Sequence, residues 1–338
     1  MKVAILTPPV YSVPPEGYGG EIFCWDLICG LAELGVEVHL FARSKSQVPK
    51  NGYLHYIPEL PLEYFVVGER VPWHFYEDIL KEMDVLHSFQ HSGYVHNSVH
   101  FYWKGNSLHT CWGTMLPAYI VKTNVVSWSK FHRECMLQQG APKSTRYVYG
   151  GTNTDFYCPS NYEKDNYFLF LSRWHPTKRP EVVLALAKRF PDITFVFGSK
   201  PGTPDHVYYG AKYLEVANKL PNVKHVEPTH EEKRELYRRA RAVIFPSIGE
   251  AFGLVAVEAL GCGTPLICSN DGAFREIVLP GETGFLCDNL DDFEKAIRKI
   301  GALEPKRCRE DAEKRWNRLR VAKDYLKVYK DIANGEYF

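Results

Sequence analysis

The feature that most constrains the fold of this chain is an alternation of short apolar runs with amphipathic helical segments. Residues 3–7 form the first apolar run, and a loop rich in proline and glycine follows. Apolar side chains then recur at helical spacing over residues 24–34, and residues 36–40 alternate apolar and polar as a second strand. This order is a βαβ unit, which builds parallel sheets covered by helices.

The second half of the chain repeats the alternation more clearly. Strands are predicted at residues 167–172, 193–198, 223–227, 242–247, 265–269 and 284–287. Helices are predicted at residues 180–190, 208–220, 273–278 and 291–300, and Thr229 with Glu232 forms the capping-box pattern that opens one more. In the first half, the aromatic-rich residues 53–125 predict only two strand ends, near residues 84–89 and 124–127. A helix capped by Ser129 or Lys130 is predicted to follow.

The length of 338 residues suits two domains rather than one. We predict an α/β protein with two Rossmann-like domains, residues 1–158 and 159–315, followed by a C-terminal segment over residues 316–338. A polar linker lies near residues 157–164. Two such domains facing each other leave a cleft between them, a common place for ligands.

Composition narrows the functional classes. The net charge is +1, so the basic excess typical of a nucleic-acid-binding protein is absent and no nucleic-acid partner is predicted. The chain has no apolar run of about 18 residues and no signal peptide at its start. Its nine scattered cysteines lack a Cys-x-x-Cys pair. We therefore expect a cytoplasmic protein with reduced, mostly buried thiols.

Residues 246–261 carry the strongest chemical signal. A strand ends at Ser247, a glycine loop follows, and a helix is predicted to begin near Phe252. The free N–H groups of such a helix start suit a phosphate or a polar sugar. Glu258 lies inside this otherwise apolar helix, where a carboxylate needs a partner. An arginine from a neighbouring element and a pair of ribose hydroxyl groups are both open alternatives.

A second polar segment, residues 172–180, follows the first strand of the second domain. Ligands of open α/β sheets bind at this end of the strands. Arg173 and Lys178 are suited to hold a diphosphate there, one as a planar fork and the other as a point charge. Arg179 is interpreted as ordinary surface charge.

These motifs together resemble those of the retaining glycosyltransferase family 4, whose members have the GT-B fold. Glu250 and Glu258 are separated by seven residues that include Phe-Gly-Leu, as in the paired glutamates of that family. The other matching segments are Gly19-Gly20-Glu21, residues 151–156, Ser172-Arg173 with Lys178, residues 271–278 with 281 and 283–286, and residues 321–325 with 329. The resemblance covers nearly the whole second half and patches of the first.

The resemblance implies a retaining transferase of the hexosyltransferase type (EC 2.4), which moves a sugar from a nucleotide-diphosphate donor to an acceptor. It makes Glu250 the catalytic residue at the transferred sugar. The implied donor contacts are Arg173 and Lys178 on the diphosphate, Glu258 on the ribose, the backbone of Phe252, Gly253 and Leu254 on the sugar, and Gly19 and Gly20 near the phosphate or the acceptor. The first domain is implied to bind the acceptor, and residues 316–338 are implied to form a closing helix that packs back on the first domain.

No metal or cofactor is implied by the resemblance. Cations and a helix N-terminus would stabilise the charge that develops on the leaving diphosphate, and the chain has no Asp-x-Asp to bind a metal instead. Configuration would be retained by a front-face route, in which the leaving phosphate helps to deprotonate the acceptor.

One position departs from the family's pattern. The family carries Thr-x-His-Gly at the end of a first-domain strand, whereas residues 110–113 of this chain are Thr-Cys-Trp-Gly. Trp112 therefore takes the place of the histidine; an indole cannot act as a base, although it can stack on a sugar. Either another group substitutes, His109 is the equivalent residue through a local shift, or activity is reduced. His87, His109 and Trp112 are predicted to lie on the acceptor side.

Two further patterns admit both an ordinary and a specific interpretation. Histidines 87, 91, 96 and 100 include His-x-x-x-His spacings, but Gly93 interrupts the segment and we predict no metal site. A basic C-terminal stretch is either a solvated helix face or a peripheral contact with an anionic membrane. This basic stretch comprises Lys306, Arg307, Arg309, Lys314, Arg315, Arg318, Arg320 and Lys323.

The predicted partners are a nucleotide-sugar donor and a saccharide, lipid or protein acceptor. Sequence reasoning leaves the nucleotide base, the sugar and the acceptor open. Two alternatives to a transferase stay open as well. A non-catalytic sugar-nucleotide-binding protein is favoured by Trp112, and a phosphorylase-type enzyme would depend on inorganic phosphate. An epimerase is disfavoured by the paired glutamates.

Overall fold

The computed structural model describes residues 1–14, 19–103, 105–111, 120–161, 163–199 and 206–338. The chain divides into two compact units. The first unit comprises Met1–Gly151 and Arg318–Phe338, and the second comprises Thr152–Asn317. Within the described ranges, none of the helices is long and apolar enough to cross a lipid bilayer. All nine cysteines are free thiols, and six of them are buried.

A parallel sheet forms the centre of the first unit. Its described strands are β1 (Lys2–Leu6), β2 (Glu37–Arg43), β3 (Tyr53–Ile57), β4 (Val85–Ser88), β5 (Ser107–Thr110), β6 (Val125–Ser127) and β7 (Arg146–Tyr147). They lie in the order β3-β2-β1-β4-β5-β6-β7. The chain winds outward in one direction from β1 and in the other from β4, so the switch point of the sheet lies between these two neighbours.

Helices cover the sheet of the first unit. Those in its N-terminal part are α1 (Gly19–Glu33), α2 (Phe65–Phe75), α3 (Glu77–Lys81), α4 (Tyr94–Ser98) and α5 (Lys130–Gln138). The hydroxyl of Ser129 accepts a hydrogen bond from the His132 N–H at 3.0 Å and caps α5. Ser129 is therefore the cap, as one of the two predicted alternatives had it.

The second unit is built on a sheet of the same kind. Its described strands are β8 (Tyr167–Leu171), β9 (Thr194–Gly198), β10 (Val223–Val226), β11 (Ala242–Phe245), β12 (Leu266–Ser269) and β13 (Gly284–Cys287). All pairings are parallel, in the order β10-β9-β8-β11-β12-β13. The six predicted strands are confirmed, and the switch point lies between β8 and β11.

Seven helices accompany these strands in the described part of the second unit. They are α6 (Pro180–Arg189), α7 (Ala211–Ala217), α8 (His230–Arg239), α9 (Leu254–Gly261), α10 (Phe274–Ile277), α11 (Leu290–Lys299) and α12 (Pro305–Arg315). The capping box is confirmed, since Thr229 and Glu232 each bind the other's backbone N–H. The helix predicted at residues 208–220 is shorter, because a π-helical turn over His206–Gly210 precedes α7.

The last helix, α13 (Arg318–Ala333), belongs to the first unit and packs on α1. Gly30 makes the close approach possible, because a Cβ at that position would lie 2.9 Å from the Ala322 Cβ and 3.1 Å from the Arg318 carbonyl oxygen. Arg318 also binds the Glu33 carboxylate at 2.6 Å. Tyr325 and Tyr329 of α13 are fully buried.

Candidate functional site

Two polar loops meet at the switch point of the second unit. One loop follows β8 and the other follows β11, and these strands are parallel neighbours. Because the carboxyl ends of parallel neighbours lie at one edge of the sheet, the loops are brought side by side. The N–H of Ile248 donates to the Thr177 carbonyl oxygen at 2.9 Å and joins them directly. The two segments with the strongest chemical signal in the sequence therefore form one site.

Lys178 and Glu250 are the charged pair of this site. The ammonium group of Lys178 donates to the Glu250 carboxylate, and the two side chains are only 19% and 17% exposed. Lys178 ends a short 3₁₀ turn that begins with the ring of His175 accepting the Thr177 N–H. The pair joins the residue predicted to bind a diphosphate to the residue predicted to be catalytic.

The loop around Glu250 is held by the chain that follows β12. The Asp271 carboxylate accepts the Gly249 N–H at 2.6 Å, and the Ala273 N–H donates to the Glu250 carbonyl oxygen at 3.0 Å. Gly272 has a φ of 57°, and a Cβ there would lie 2.8 Å from the Glu250 nitrogen. A side chain at this position would therefore push the Glu250 backbone away.

Helix α9 begins at Leu254 rather than near Phe252. Gly253 precedes the helix with a φ of 107°, a left-handed conformation that favours glycine. Phe252 is buried and its ring lies 5.6 Å from that of Trp316. The packing of Phe252 on Trp316 thus fixes the backbone of residues 252–254. The first N–H groups of α9, which lack intrahelical acceptors, lie at the site.

Glu258 is buried in α9 and has two partners from α8. The Lys233 ammonium lies 3.0 Å from one carboxylate oxygen, and the Tyr237 hydroxyl donates to the other at 2.8 Å. Of the two alternatives left open for this carboxylate, an arginine partner is therefore wrong, and the protein partners are a lysine and a tyrosine. Burial and the Glu258 charge hold the pKa of Tyr237 well above its usual range. Each carboxylate oxygen still has acceptor capacity for one ribose hydroxyl.

Lys233 and Tyr237 were not predicted as site residues from the sequence. Their spacing of four on a helix places both side chains on the same face of α8. The capping box had already fixed where that helix begins. A basic and a phenolic residue on one face of a helix were therefore a usable signal for the partners of a buried carboxylate.

Arg173 follows a strand, whereas Gly19 and Gly20 lie at the start of a helix. Arg173 lies in the loop after β8 and is exposed. Gly19 and Gly20 begin α1 in the first unit. The structure therefore places Arg173 in the loop that carries Lys178, and the two glycines in the other unit.

The histidines predicted on the acceptor side lie inside the first unit. His87 binds the Tyr329 hydroxyl at 2.7 Å through one ring nitrogen and the Thr110 hydroxyl at 2.8 Å through the other. His109 is 2% exposed, and its Nδ1 has no hydrogen-bond partner among the residues that the structure describes. Burial holds the pKa of both rings well below the usual range, so both are neutral. Trp112 lies outside the described residues.

The basic C-terminal stretch is largely engaged in contacts within its own units. Arg309 donates to three backbone carbonyl groups, and Arg315 binds the Asp311 carboxylate in bidentate fashion. Carboxylates pair with three further arginines, namely Arg307 with Glu282, Arg318 with Glu33 and Arg320 with Asp324. The exposed cations are Lys306, Lys314 and Lys323. A membrane contact here would rest on three lysines instead of eight cations, and sedimentation with anionic vesicles at low salt would test it.

Comparison with known proteins places this site in context. Residues 155–315 match the family described as glycosyl transferases group 1. The matched residues are a little under half of the chain and include Arg173, Lys178, Glu250 and Glu258. A D-inositol 3-phosphate glycosyltransferase of Mycobacterium sp. (strain JLS) is 29% identical over 170 residues, which cover 46% of this chain and 38% of the relative. The match thus spans less than half of that relative's length.

Two solved structures resemble the chain over its whole length. AviGT4, a glycosyltransferase involved in avilamycin A biosynthesis, has a TM-score of 0.79 at 23% identity and covers 100% of this chain and 99% of its own. Anabaena HepE in complex with UDP-glucose has a TM-score of 0.74 at 17% identity, with coverage of 98% and 100%. These likenesses confirm the predicted GT-B fold of two Rossmann-like units.

Proposed function

We propose that the protein transfers a sugar from a nucleotide-diphosphate donor to an acceptor. The premise is that residues 155–315 of this chain form a domain of the group 1 glycosyltransferase family. The reaction is of the hexosyltransferase type and retains the configuration of the sugar. It needs no metal or cofactor. The whole protein's activity is inferred from the chemistry of the second unit.

The observation that carries the proposal is the Lys178–Glu250 pair beside the start of α9. A lysine ammonium has three donors, so Lys178 can keep Glu250 and still bind a phosphate oxygen. The N–H groups at the start of α9 and the exposed Arg173 add positive potential at the same edge of the sheet. This is the charge distribution that a departing diphosphate requires.

The roles of the residues follow from that charge distribution. The bond between the anomeric carbon and the diphosphate oxygen breaks, and the acceptor oxygen bonds to the same face of that carbon. The acceptor's proton passes to the leaving phosphate. Lys178 and Arg173 stabilise the leaving diphosphate, Glu258 receives the ribose hydroxyls, and Glu250 with the backbone of residues 252–254 orients the sugar.

UDP-glucose is the first donor to test, because HepE, which shares the fold, binds it. Inositol 3-phosphate is one acceptor to test, because the name of the mycobacterial relative includes it. Simple sugars, cyclitols and lipid acceptors complete the panel.

The test incubates the protein with a panel of donors and measures nucleotide release and thermal shift. UDP-, GDP- and ADP-sugars are incubated with the protein, with and without EDTA. We expect nucleotide release from one donor that EDTA leaves unchanged and that Lys178→Ala and Glu258→Ala reduce by at least about a hundredfold. Lys306→Ala, at an exposed lysine outside the site, is the matched control and keeps wild-type activity.

Three outcomes would contradict parts of this proposal. Loss of release in EDTA would show that a metal takes part. Dependence on inorganic phosphate would identify a phosphorylase. A thermal shift with a donor, but no release with any acceptor, would favour the non-catalytic sugar-nucleotide-binding protein that Trp112 suggests.

A further inference from the structure

Two short segments of the second unit, residues 157–159 and residues 261–263, lie side by side. A Cβ at Gly261 would lie 3.2 Å from the Tyr157 Cβ. Two residues further along both segments, a Cβ at Gly263 would lie 3.5 Å from the Pro159 Cγ. The two segments therefore run in the same direction, and residues 158 and 262 stand opposite each other. Both of these residues are cysteines.

A single arginine holds the two segments together. The Nη1 atom of Arg309 donates to the carbonyl oxygens of Tyr157 at 2.9 Å and Gly261 at 3.0 Å. The peptide groups that lead into Cys158 and Cys262 therefore share one donor. Disulfides join residues whose Cα atoms are usually about 4.4–6.8 Å apart. Segments that touch on both sides of the cysteine pair, and that share this donor, suit such a spacing.

Cys158 has the surroundings of a reactive thiol. It is partly exposed, and the Arg238 guanidinium donates to its Sγ at 3.0 Å and to its carbonyl oxygen at 2.7 Å. Reactive cysteines are typically partly exposed and lie next to a cationic side chain. Cys158 is therefore the thiol of the pair that a reagent in solution can reach first.

Cys262 is suited to a second step that follows the first. It caps the C-terminal end of α9 and is 1% exposed. Burial raises the pKa of Cys262 to about 12, and the charges of Arg238 and Lys164 oppose this rise. The Cys262 sulfur is thus a neutral thiol that bulk reagents do not reach. A sulfur atom on the facing segment is the group that can react with it.

We propose that Cys158 and Cys262 form a thiol–disulfide exchange site that reacts with a small disulfide such as oxidised glutathione. After losing its proton to water, Cys158 attacks one sulfur of the reagent and forms a mixed disulfide, and the other sulfur leaves as a glutathione thiolate. The Cys262 sulfur then attacks the Cys158 sulfur, and its proton passes to the second departing glutathione. Two cysteines are thereby oxidised to one disulfide, and one glutathione disulfide is reduced to two thiols.

The product is a covalent tie at the end of α9, the helix that carries Glu258. The roles assigned above to the site residues of the second unit involve neither thiol. The exchange site is therefore independent of the proposed transfer reaction. It can be tested whether or not a donor is turned over.

The test follows each thiol of the folded, full-length chain. The protein is incubated with glutathione disulfide, the remaining thiols are blocked with N-ethylmaleimide, and the modified peptides are identified by mass spectrometry. We expect Cys158 and Cys262 to be lost together, at least about tenfold faster than Cys135, the partly exposed thiol of α5 that is the internal control. Dithiothreitol should restore both thiols.

Two variants separate the steps of the exchange. Cys262→Ser should keep one glutathione on Cys158, because the second sulfur has been removed. In Cys158→Ser, the buried Cys262 should stay a free thiol. Circular dichroism checks that both variants fold, and Cys262→Ala replaces Cys262→Ser if the serine hydroxyl disturbs the buried position.

The wild type alone can overturn the inference. Glutathione that stays on Cys158 without a disulfide to Cys262 overturns the pairing, as does a disulfide from Cys158 to any other cysteine. A Cys158 thiol that reacts no faster than the Cys135 thiol overturns the site itself.

Discussion

Glu258 illustrates what can be predicted at the scale of single residues. Its burial and its need for a partner follow from its place in an apolar helix. The identity of that partner does not, because Lys233 and Tyr237 reach it from a different helix. Likewise, Lys178 and Glu250 are each identifiable by motif, but their pairing depends on the strand order that places β8 beside β11.

The Lys233–Glu258 pair is expected to stabilise the second unit. Lys233→Met leaves a buried carboxylate without its cation, so the free energy of unfolding should fall by about 3 kcal/mol. Urea unfolding followed by circular dichroism measures this change. Lys306→Met, at an exposed lysine, should change the free energy by less than about 0.5 kcal/mol. Equal effects of the two substitutions would show that the buried pair does not stabilise the fold.

The buried histidines of the first unit are expected to make its stability depend on pH. Burial lowers the pKa of His96 to about 4, and lowers those of His87 and His109 well below the ordinary value. The unfolded chain therefore binds more protons, so stability is present above a pH of about 6.5 and is lost as the pH falls toward 4. Each histidine contributes up to about 1.4 kcal/mol per pH unit.

Urea midpoints between pH 7.5 and pH 5 test this dependence. We expect a shallower fall in His96→Gln than in the wild type, because one group that must gain a proton on unfolding has been removed. His74→Gln, at an exposed position, should keep the wild-type slope. A wild type whose stability is flat across this range would refute the prediction.

At the scale of elements, the success of sequence reasoning depends on burial. Strands β8, β9, β11 and β12 of the second unit are buried runs with little polar interruption, and Pro180 and Thr229 mark where two of its helices begin. In contrast, β3 exposes Tyr53 and Tyr56, and α2 contains Pro72, a residue that ordinarily argues against a helix. These two elements therefore had no clear periodic signal.

Contact between α1 and α13 can be tested at Gly30. Alanine favours a helix over glycine by about 1 kcal/mol, but its Cβ would press on Ala322. We expect the steric cost to prevail and Gly30→Ala to lower the free energy of unfolding by about 1–3 kcal/mol. Among the residues that the structure describes, a Cβ at Gly301 would meet one atom within 4 Å, at 4.0 Å, so Gly301→Ala is the control. Higher stability of Gly30→Ala in thermal unfolding would show that α13 does not pack there.

The loop after β12 should control activity through Gly272. An alanine there would displace the Glu250 backbone, so kcat/KM for the donor should fall about tenfold or more. Gly281 has a similar left-handed φ of 79°, but a Cβ there would meet no atom of the described residues within 4 Å. Gly281→Ala therefore carries the same backbone strain without the collision. Steady-state nucleotide release compares the two variants, and equal losses would assign the effect to strain alone.

At the scale of the whole molecule, the proposed donor contacts other than Gly19 and Gly20 fall within the second unit. Nucleotide alone should therefore stabilise that unit, by about 2.7 kcal/mol at a concentration a hundred times its Kd. Hydrogen exchange should show protection in the loops after β8 and β11 and in α9. Protection confined to the first unit would place the nucleotide elsewhere.

The order of elements along the whole chain was the most predictable property of this protein. Repeated βαβ alternation and motifs in a fixed order predicted two Rossmann-like units, and the described strands are parallel in both. The limits of the units were harder, because the first unit takes its last helix from the end of the chain. The helical periodicity of residues 318–333 does not assign them to either sheet, and only the resemblance of residues 321–325 and 329 to the family's closing helix implied the first domain.

That discontinuity has a consequence for how the protein is made. The second unit lies between Gly151 and Arg318, so a ribosome completes it before the final helix of the first unit has been synthesised. Until α13 emerges, the face of α1 around Gly30 and the His87 ring lack their native cover. The first unit therefore cannot complete its packing until the ribosome has synthesised the whole second unit.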